Sequence, residues 1–392
     1  MATPSMIGRT LGGFSVEGEI GRGGMGEVLL ARQDTLGRPA VLKRILRDLA
    51  NQPELAERFQ REARSAGAVH HHNVVAVYDL FSHRGAQYIA QEYVDGADLA
   101  SALLLEAPLP WRIAALIALE VARGLEAVHA HGTLHRDLKP ANLLLGRRGE
   151  VKITDFGLAI DAEASALTLP GVALGTPDYM APEQLRCERV DARTDVFAFG
   201  CVLYEMLTGA PPFALRAARA DGTNDAEGSG GKPHETAAER IQRGRYRRLR
   251  RAARGVPRSL ARMTERCLHA RPKRRIASAR ELRRQLEDLL GMPSPADSQA
   301  EIARWLWERA LFEPRRDETI VLVADPPTVL PRRRVRPWVA AAALVASLGC
   351  LALALREPQA VMRWTDDALS LARSAVESSA ELSRRADPSL PG

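Results

Sequence analysis

Residues Gly21 to Val28 read GRGGMGEV, with Gly21, Gly23 and Gly26 in the spacing G-x-G-x-x-G. Glycines so placed let a backbone approach phosphate oxygens with no β-carbon in the way. The same spacing serves dinucleotide-binding folds, but there a helix must follow. Here Glu27-Val28-Leu29-Leu30-Ala31 reads as a strand, which predicts a glycine-rich hairpin. Lys43 then follows Ala40-Val41-Leu42 on a short apolar strand, and Glu62 lies in a segment of helical spacing after Pro53. Either residue alone is ordinarily a solvated surface group. Together, after a glycine loop, they suit phosphate chemistry: a point cation for the phosphates and a carboxylate to orient a partly buried lysine.

Further along come His135-Arg136-Asp137-Leu138-Lys139-Pro140-Ala141-Asn142, then Asp155-Phe156-Gly157, then Ala181-Pro182-Glu183. In this order, after GRGGMGEV and AVLK, the motifs resemble those of the protein kinases. GRGGMGEV and GTPDYMAPEQL are most similar to the Ser/Thr kinases of bacteria. The resemblance covers residues 14–290 and implies an α+β, bilobal kinase fold, with a small β-rich lobe over 14–93 and a larger, mainly helical lobe over 94–290.

Carried over residue by residue, the resemblance implies that Asp137 orients or accepts the proton of an attacking hydroxyl. Asn142 and Asp155 would hold Mg²⁺, with Mn²⁺ as the alternative ion, against the phosphates of ATP. Lys43, held by Glu62, would grip the α- and β-phosphates under a cover formed by Gly21, Gly23, Gly24, Met25 and Gly26. Lys139 would offset charge on the transferring phosphoryl group. Ile20, Val28, Ala40 and Leu144 would enclose the adenine, with backbone hydrogen bonds from Glu92 to Val94. Gln91, just before that segment, stands where the family often has a larger apolar residue. Lys139 and Thr176 follow the Ser/Thr pattern. Arg136 implies a switch in which a phosphorylated activation-loop residue, Thr168 first and Ser165 or Thr176 after it, pairs with the arginine. Glu183 with Arg275, and Asp195 beneath the catalytic loop, would be structural. A catalytically weak or inactive scaffold of the same fold, acting as a membrane-anchored interaction module, is the alternative.

The elements that must position these residues are legible more coarsely. Residues 14–45 read as strands joined by tight turns, residues 87–93 as a short strand, and residues 109–131 as a long amphipathic helix. Mainly helical segments follow Glu183. The run ARADGTNDAEGSGGKP over 218–233 reads as a flexible loop. His70-His71-His72 reads as a turn rather than a metal site, because adjacent side chains cannot all face one ion. The four cysteines are widely spaced with no CxxC pair, which argues against a disulfide framework or a zinc cluster.

The net charge of +7 is unevenly placed: Glu239 to Arg284 holds eighteen Lys or Arg against three acidic residues. Such a run suits a solvated face, nucleic acid, an acidic partner or an anionic membrane, and it lacks the interleaved aromatics of single-strand binders. No specific nucleic-acid partner is expected. The start, MATPSMIGRTLGGF, lacks the charged and apolar regions of a secretory signal, which predicts a cytoplasmic first domain after a tail over 1–13. Prolines recur over 291–337, predicting a linker that a short helix near 302–312 interrupts. Trp338 to Leu355 then runs eighteen residues without a formal charge. As a helix it would reach about 27 Å, close to the roughly 30 Å of a hydrocarbon core. Arg332, Arg333, Arg334 and Arg336 precede it, so the positive-inside rule predicts a single-pass transmembrane helix in the cell membrane with the first domain in the cytoplasm. The tail 356–392 is expected to pair with a second copy or with a membrane partner, bringing two kinase domains together, with proteins as substrates.

Overall fold

The computed structural model describes residues 6–23, 26–45, 67–155, 177–214 and 235–312. Gly24, Met25, Glu62, Ser165, Thr168 and Thr176 lie outside them, as do the 218–233 loop and everything from residue 313, including 338–355 and 356–392. Among the described residues no helix is long and apolar enough to cross a membrane.

The first lobe is a six-stranded antiparallel sheet of order β1-β2-β3-β4-β6-β5, comprising β1 (Thr10–Leu11), β2 (Phe14–Gly23), β3 (Gly26–Gln33), β4 (Pro39–Ile45), β5 (Val77–His83) and β6 (Ala86–Glu92). Period-two alternation sends Leu29, Ala31, Ala40 and Leu42 into one core. There Phe14, Phe81 and Tyr88 stack in turn, with ring centroids 5.9 and 5.4 Å apart. The expected glycine-rich hairpin is observed, with Arg22 opposite Glu27 and Gly23 opposite Gly26 across β2 and β3.

The second lobe is built on α2 (Trp111–Ala130), which follows β7 (Gly96–Asp98) and α1 (Leu99–Glu106). A small sheet of order β7-β8-β9, with β8 (Leu143–Gly146) and β9 (Val151–Ile153), lies against it. Then come α3 (Pro182–Leu185), α4 (Ala192–Thr208), α5 (Ala237–Arg243), α6 (Leu249–Ala252), α7 (Arg258–Cys267), α8 (Ala279–Leu290) and α9 (Pro295–Glu308). The helix expected to be amphipathic is instead buried without a break from Ile113 to Ala122. Packing of α4, α8, α9 and β9 around it accounts for the difference, and its alanines let those neighbours come close.

Residues 291–312, expected to open a linker, continue this fold. Ser294 caps α9 by accepting from the Asp297 N–H at 3.2 Å, and Pro295 stands in the first turn, where its missing N–H costs nothing. Ile302, Trp305 and Leu306, at helical spacing, are buried in the main core. Gly149, at φ +84°, sits so close to α9 that a β-carbon there would collide with the Gln299 carbonyl. Arg112 clamps Glu301 with two hydrogen bonds of 2.7 and 3.0 Å.

Candidate active site

Asp195, in the first turn of α4, is the buried foundation of the loop between α2 and β8. Its carboxylate accepts the backbone N–H of His135 at 2.9 Å and of Arg136 at 2.7 Å, and it meets His129 Nε2 at 2.7 Å. Burial pushes its pKa up, but His129, His135 and the Arg136 N–H outweigh that and hold it below the usual carboxylate range. His135 is fully buried, and burial lowers its pKa despite nearby carboxylates, so the ring is neutral. Its Nε2 lies 3.1 Å from the Thr154 carbonyl and its Nδ1 3.3 Å from the Asp137 N–H. The neutral ring therefore carries its proton on Nε2 and accepts on Nδ1. Arg136 adopts a left-handed backbone, φ +67°, and Gln184 on α3 donates to its carbonyl at 2.8 Å.

On this foundation Asp137 Oδ2 accepts from Lys139 Nζ at 2.8 Å and from Asn142 Nδ2 at 3.0 Å. Asn142 Nδ2 also donates to the Asp137 carbonyl at 2.7 Å. With its NH₂ so committed, Asn142 has its amide oxygen left to offer a cation. Thr154 N–H donates to the Asn142 carbonyl at 3.0 Å, which sets Asp155 beside the loop with φ +61°. Across the cleft, β4 carries Lys43, and its Nζ donates to Asp155 Oδ1. Asp137, Lys139, Asn142, Asp155 and Lys43 are thus brought together from both lobes. The amide and carboxylate oxygens of Asn142 and Asp155 are hard donors suited to Mg²⁺.

Behind the cleft, Ala40 is fully buried, Val28 and Leu144 are half-buried, and Ile20 is exposed. Glu92 pairs with Lys152 at 3.0 Å, and its N–H donates to the Ala76 carbonyl. Gln91 is a buried amide on β6, opposite Val41. Glu183 and Arg275 form a buried pair, two parallel bonds of 2.7 Å.

Sequence reasoning missed His129, which meets Asp195 from 66 residues away, and Gln184, which donates to the Arg136 carbonyl of the loop from 48 residues away. Asn73, to which it gave no role, is buried and donates to Glu120 at 3.0 Å and to the Val151 carbonyl at 2.9 Å. The His71 and His72 rings lie 4.2 Å apart, tilted by 30°, and among the described residues no group of three or more His, Cys, Asp or Glu could hold a metal.

Residues 14–286 match the family model described as "Protein kinase domain". The chain is 43% identical over 199 residues to the serine/threonine-protein kinase PknB of Mycobacterium leprae, covering 50% of this chain and 32% of that protein. It is 40% identical over 219 residues to PknB of Mycobacterium tuberculosis, covering 54% of this chain and 34% of the relative. The chain thus spans about a third of the length of these relatives. The crystal structure of the Mycobacterium tuberculosis PknI kinase domain superposes with a TM-score of 0.55 at 28% identity, covering 74% of this chain and 99% of that one.

Proposed function

This chain belongs to the protein kinase family, and on that premise we propose that it transfers the γ-phosphoryl group of ATP to serine or threonine hydroxyls of proteins. The observation that carries the reading is the Asp137 carboxylate, held between Lys139 and Asn142, with the Lys43–Asp155 pair joined to the same loop through the Thr154–Asn142 backbone bond. Asp137 Oδ2 takes the hydroxyl proton as the substrate oxygen bonds to phosphorus and the bond to the β–γ bridging oxygen breaks, releasing ADP. Lys139, already beside Asp137, offsets charge on the transferring group, and Lys43 steadies the α- and β-phosphates. Asn142 Oδ1 and Asp155 would hold a divalent cation, which when bound neutralises phosphate charge. Ser/Thr specificity is supported by Lys139 and by the names of the relatives. A phosphate on Thr168, Ser165 or Thr176 would pair with Arg136, making the loop responsive to autophosphorylation.

The apolar stretch 338–355, with four arginines just before it, supports tethering at the inner face of the cell membrane with the catalytic domain in the cytoplasm. Pairing of the 356–392 tails would bring two copies together.

The test is phosphate transfer from labelled ATP by the full chain beside Asp137→Asn and Lys43→Met. Each substitution is expected to lower the rate by about 10² to 10⁴. Transfer by the wild type no faster than by the variants would leave an inactive scaffold as the function.

A further inference from the structure

The basic run is not absorbed by the catalytic reading, and the fold shows how it is displayed. From Arg240 to Arg280 there are sixteen Lys or Arg and one acidic residue, Glu265. Glu265 is already engaged, accepting from the Leu249 N–H at 3.0 Å and from Arg248 at 3.3 Å. α6 packs on α7, with Leu249, Leu260, Met263 and Cys267 turned into the core. That leaves Arg247, Arg250, Arg251, Arg254, Arg258 and Arg262 exposed, none of them ion-paired among the described residues. Arg258 and Arg262, four apart on α7, share its outer face. The turn with Arg271, Lys273 and Arg274 extends the field. His269 beside it feels Arg274, Arg271 and Arg248, which, after burial, lower its pKa.

The chemistry of this face narrows its partner. Interfaces to folded proteins need buried apolar or aromatic anchors, but every large apolar side chain left exposed among the described residues lies outside 240–280. Its one tyrosine, Tyr246, is turned inward against Tyr204 and Phe213, 5.9 and 5.4 Å away, so it gives bases nothing to stack on. A dense field of arginines without anchors is what a fluid anionic surface accepts, because lipid headgroups rearrange to meet fixed charges. The same chain carries the apolar stretch 338–355, and the twenty-five residues between Phe312 and Trp338 could extend to about 80 Å. A tethered domain would therefore meet the bilayer at high effective concentration.

We propose that this arginine face of α6, α7 and their connecting turn binds the anionic lipid surface of the membrane, laying the catalytic domain against it. The choice of a bilayer over other polyanions rests on the tether reading above. The experiment is flotation of the full chain with vesicles of pure phosphatidylcholine or with about a third phosphatidylglycerol. It is run for the wild type and for Leu344→Asp/Leu348→Asp, which makes the apolar stretch unable to insert. In that background Arg250→Gln, Arg251→Gln, Arg254→Gln and Arg258→Gln are added together, with unfolding by urea checking that the fold is intact. The double Asp variant is expected to float with anionic but not neutral vesicles, and the added substitutions to lower its partitioning by about tenfold or more. A change under about twofold, or capture by duplex DNA without binding to anionic vesicles, would overturn the proposal. Equally poor flotation of wild type and double Asp variant with neutral vesicles would refute the tether instead, while the anionic arm decides the arginine face by itself.

Discussion

Replacing Arg275 by methionine keeps most of the side-chain volume and removes the charge from a site where both partners are out of water. Arg275 is 4% and Glu183 2% exposed. The guanidinium makes the two 2.7 Å bonds to Glu183 and also donates to the carbonyls of His269, Arg193 and Ala270 at 2.7, 2.9 and 3.3 Å, with Phe197 stacked 4.8 Å beneath it. In Arg275→Met the Glu183 carboxylate keeps only Thr194 Oγ1, at 2.9 Å, as a side-chain donor. Breaking a buried pair from one side costs about 3–5 kcal/mol, a large share of the 5–15 kcal/mol typical of a domain. The loss also has a pH signature. In the native protein burial pushes the Glu183 pKa up, but the bond and charge of Arg275 outweigh it and the pKa is lowered. The stability it contributes is thus present above the ordinary carboxylate pKa and lost as pH falls through the folded value. Without Arg275, burial is opposed only by the Thr194 and backbone hydrogen bonds, and that pKa rises. The deficit of the variant should then be largest near neutrality and shrink as the medium is acidified and Glu183 protonates. Urea unfolding of wild type, Arg275→Met and the charge-keeping Arg275→Lys at several pH values measures this. A deficit under about 1 kcal/mol, or one independent of pH, would refute the reasoning.

Trp305→Ala should cost about 3–5 kcal/mol although it lies beyond the matched family region, and a thermal melt unchanged from wild type would show that α9 is not part of the core. The His71 pKa is lowered to about 4, by burial first and then by His72, Lys152 and Arg123. Because the folded value lies below the unfolded one, stability is full above about pH 6.5 and declines as pH falls toward the folded value. His71→Asn should flatten unfolding curves across that window, and an unaltered slope would count against it. Burial raises the thiol pKa of Cys201, and that of Cys267 to about 12. Native alkylation mapped by mass spectrometry should therefore mark exposed Cys187 and spare both.

The catalytic loop was legible because its roles follow one another along a few residues, so Asp137, Lys139 and Asn142 could be assigned before any fold was known. The strand carrying Lys43 was legible from alternation. What local pattern could not show was support from a distance. Gln184 acts on the loop from α3, and His129 acts through Asp195, 66 residues further along the chain, and nothing around either in sequence marks it. Proline misled at α9, since the same residue opens helices and fills linkers. Alanine misled at α2, where small side chains read as one half of an amphipathic helix but permit neighbours on every side.

Arg136, next to Asp137 in the loop, and Asp155, which accepts from Lys43, each have a left-handed backbone that a side chain disfavours. Each such conformation costs on the order of 1 kcal/mol or more, which a glycine would relieve. A laboratory selection for heat resistance alone would therefore accept glycine at both positions, and with it lose a carboxylate and a guanidinium. Ancestors or variants recovered from such a screen would melt later while their chemistry faded, and the two positions give early markers of that drift.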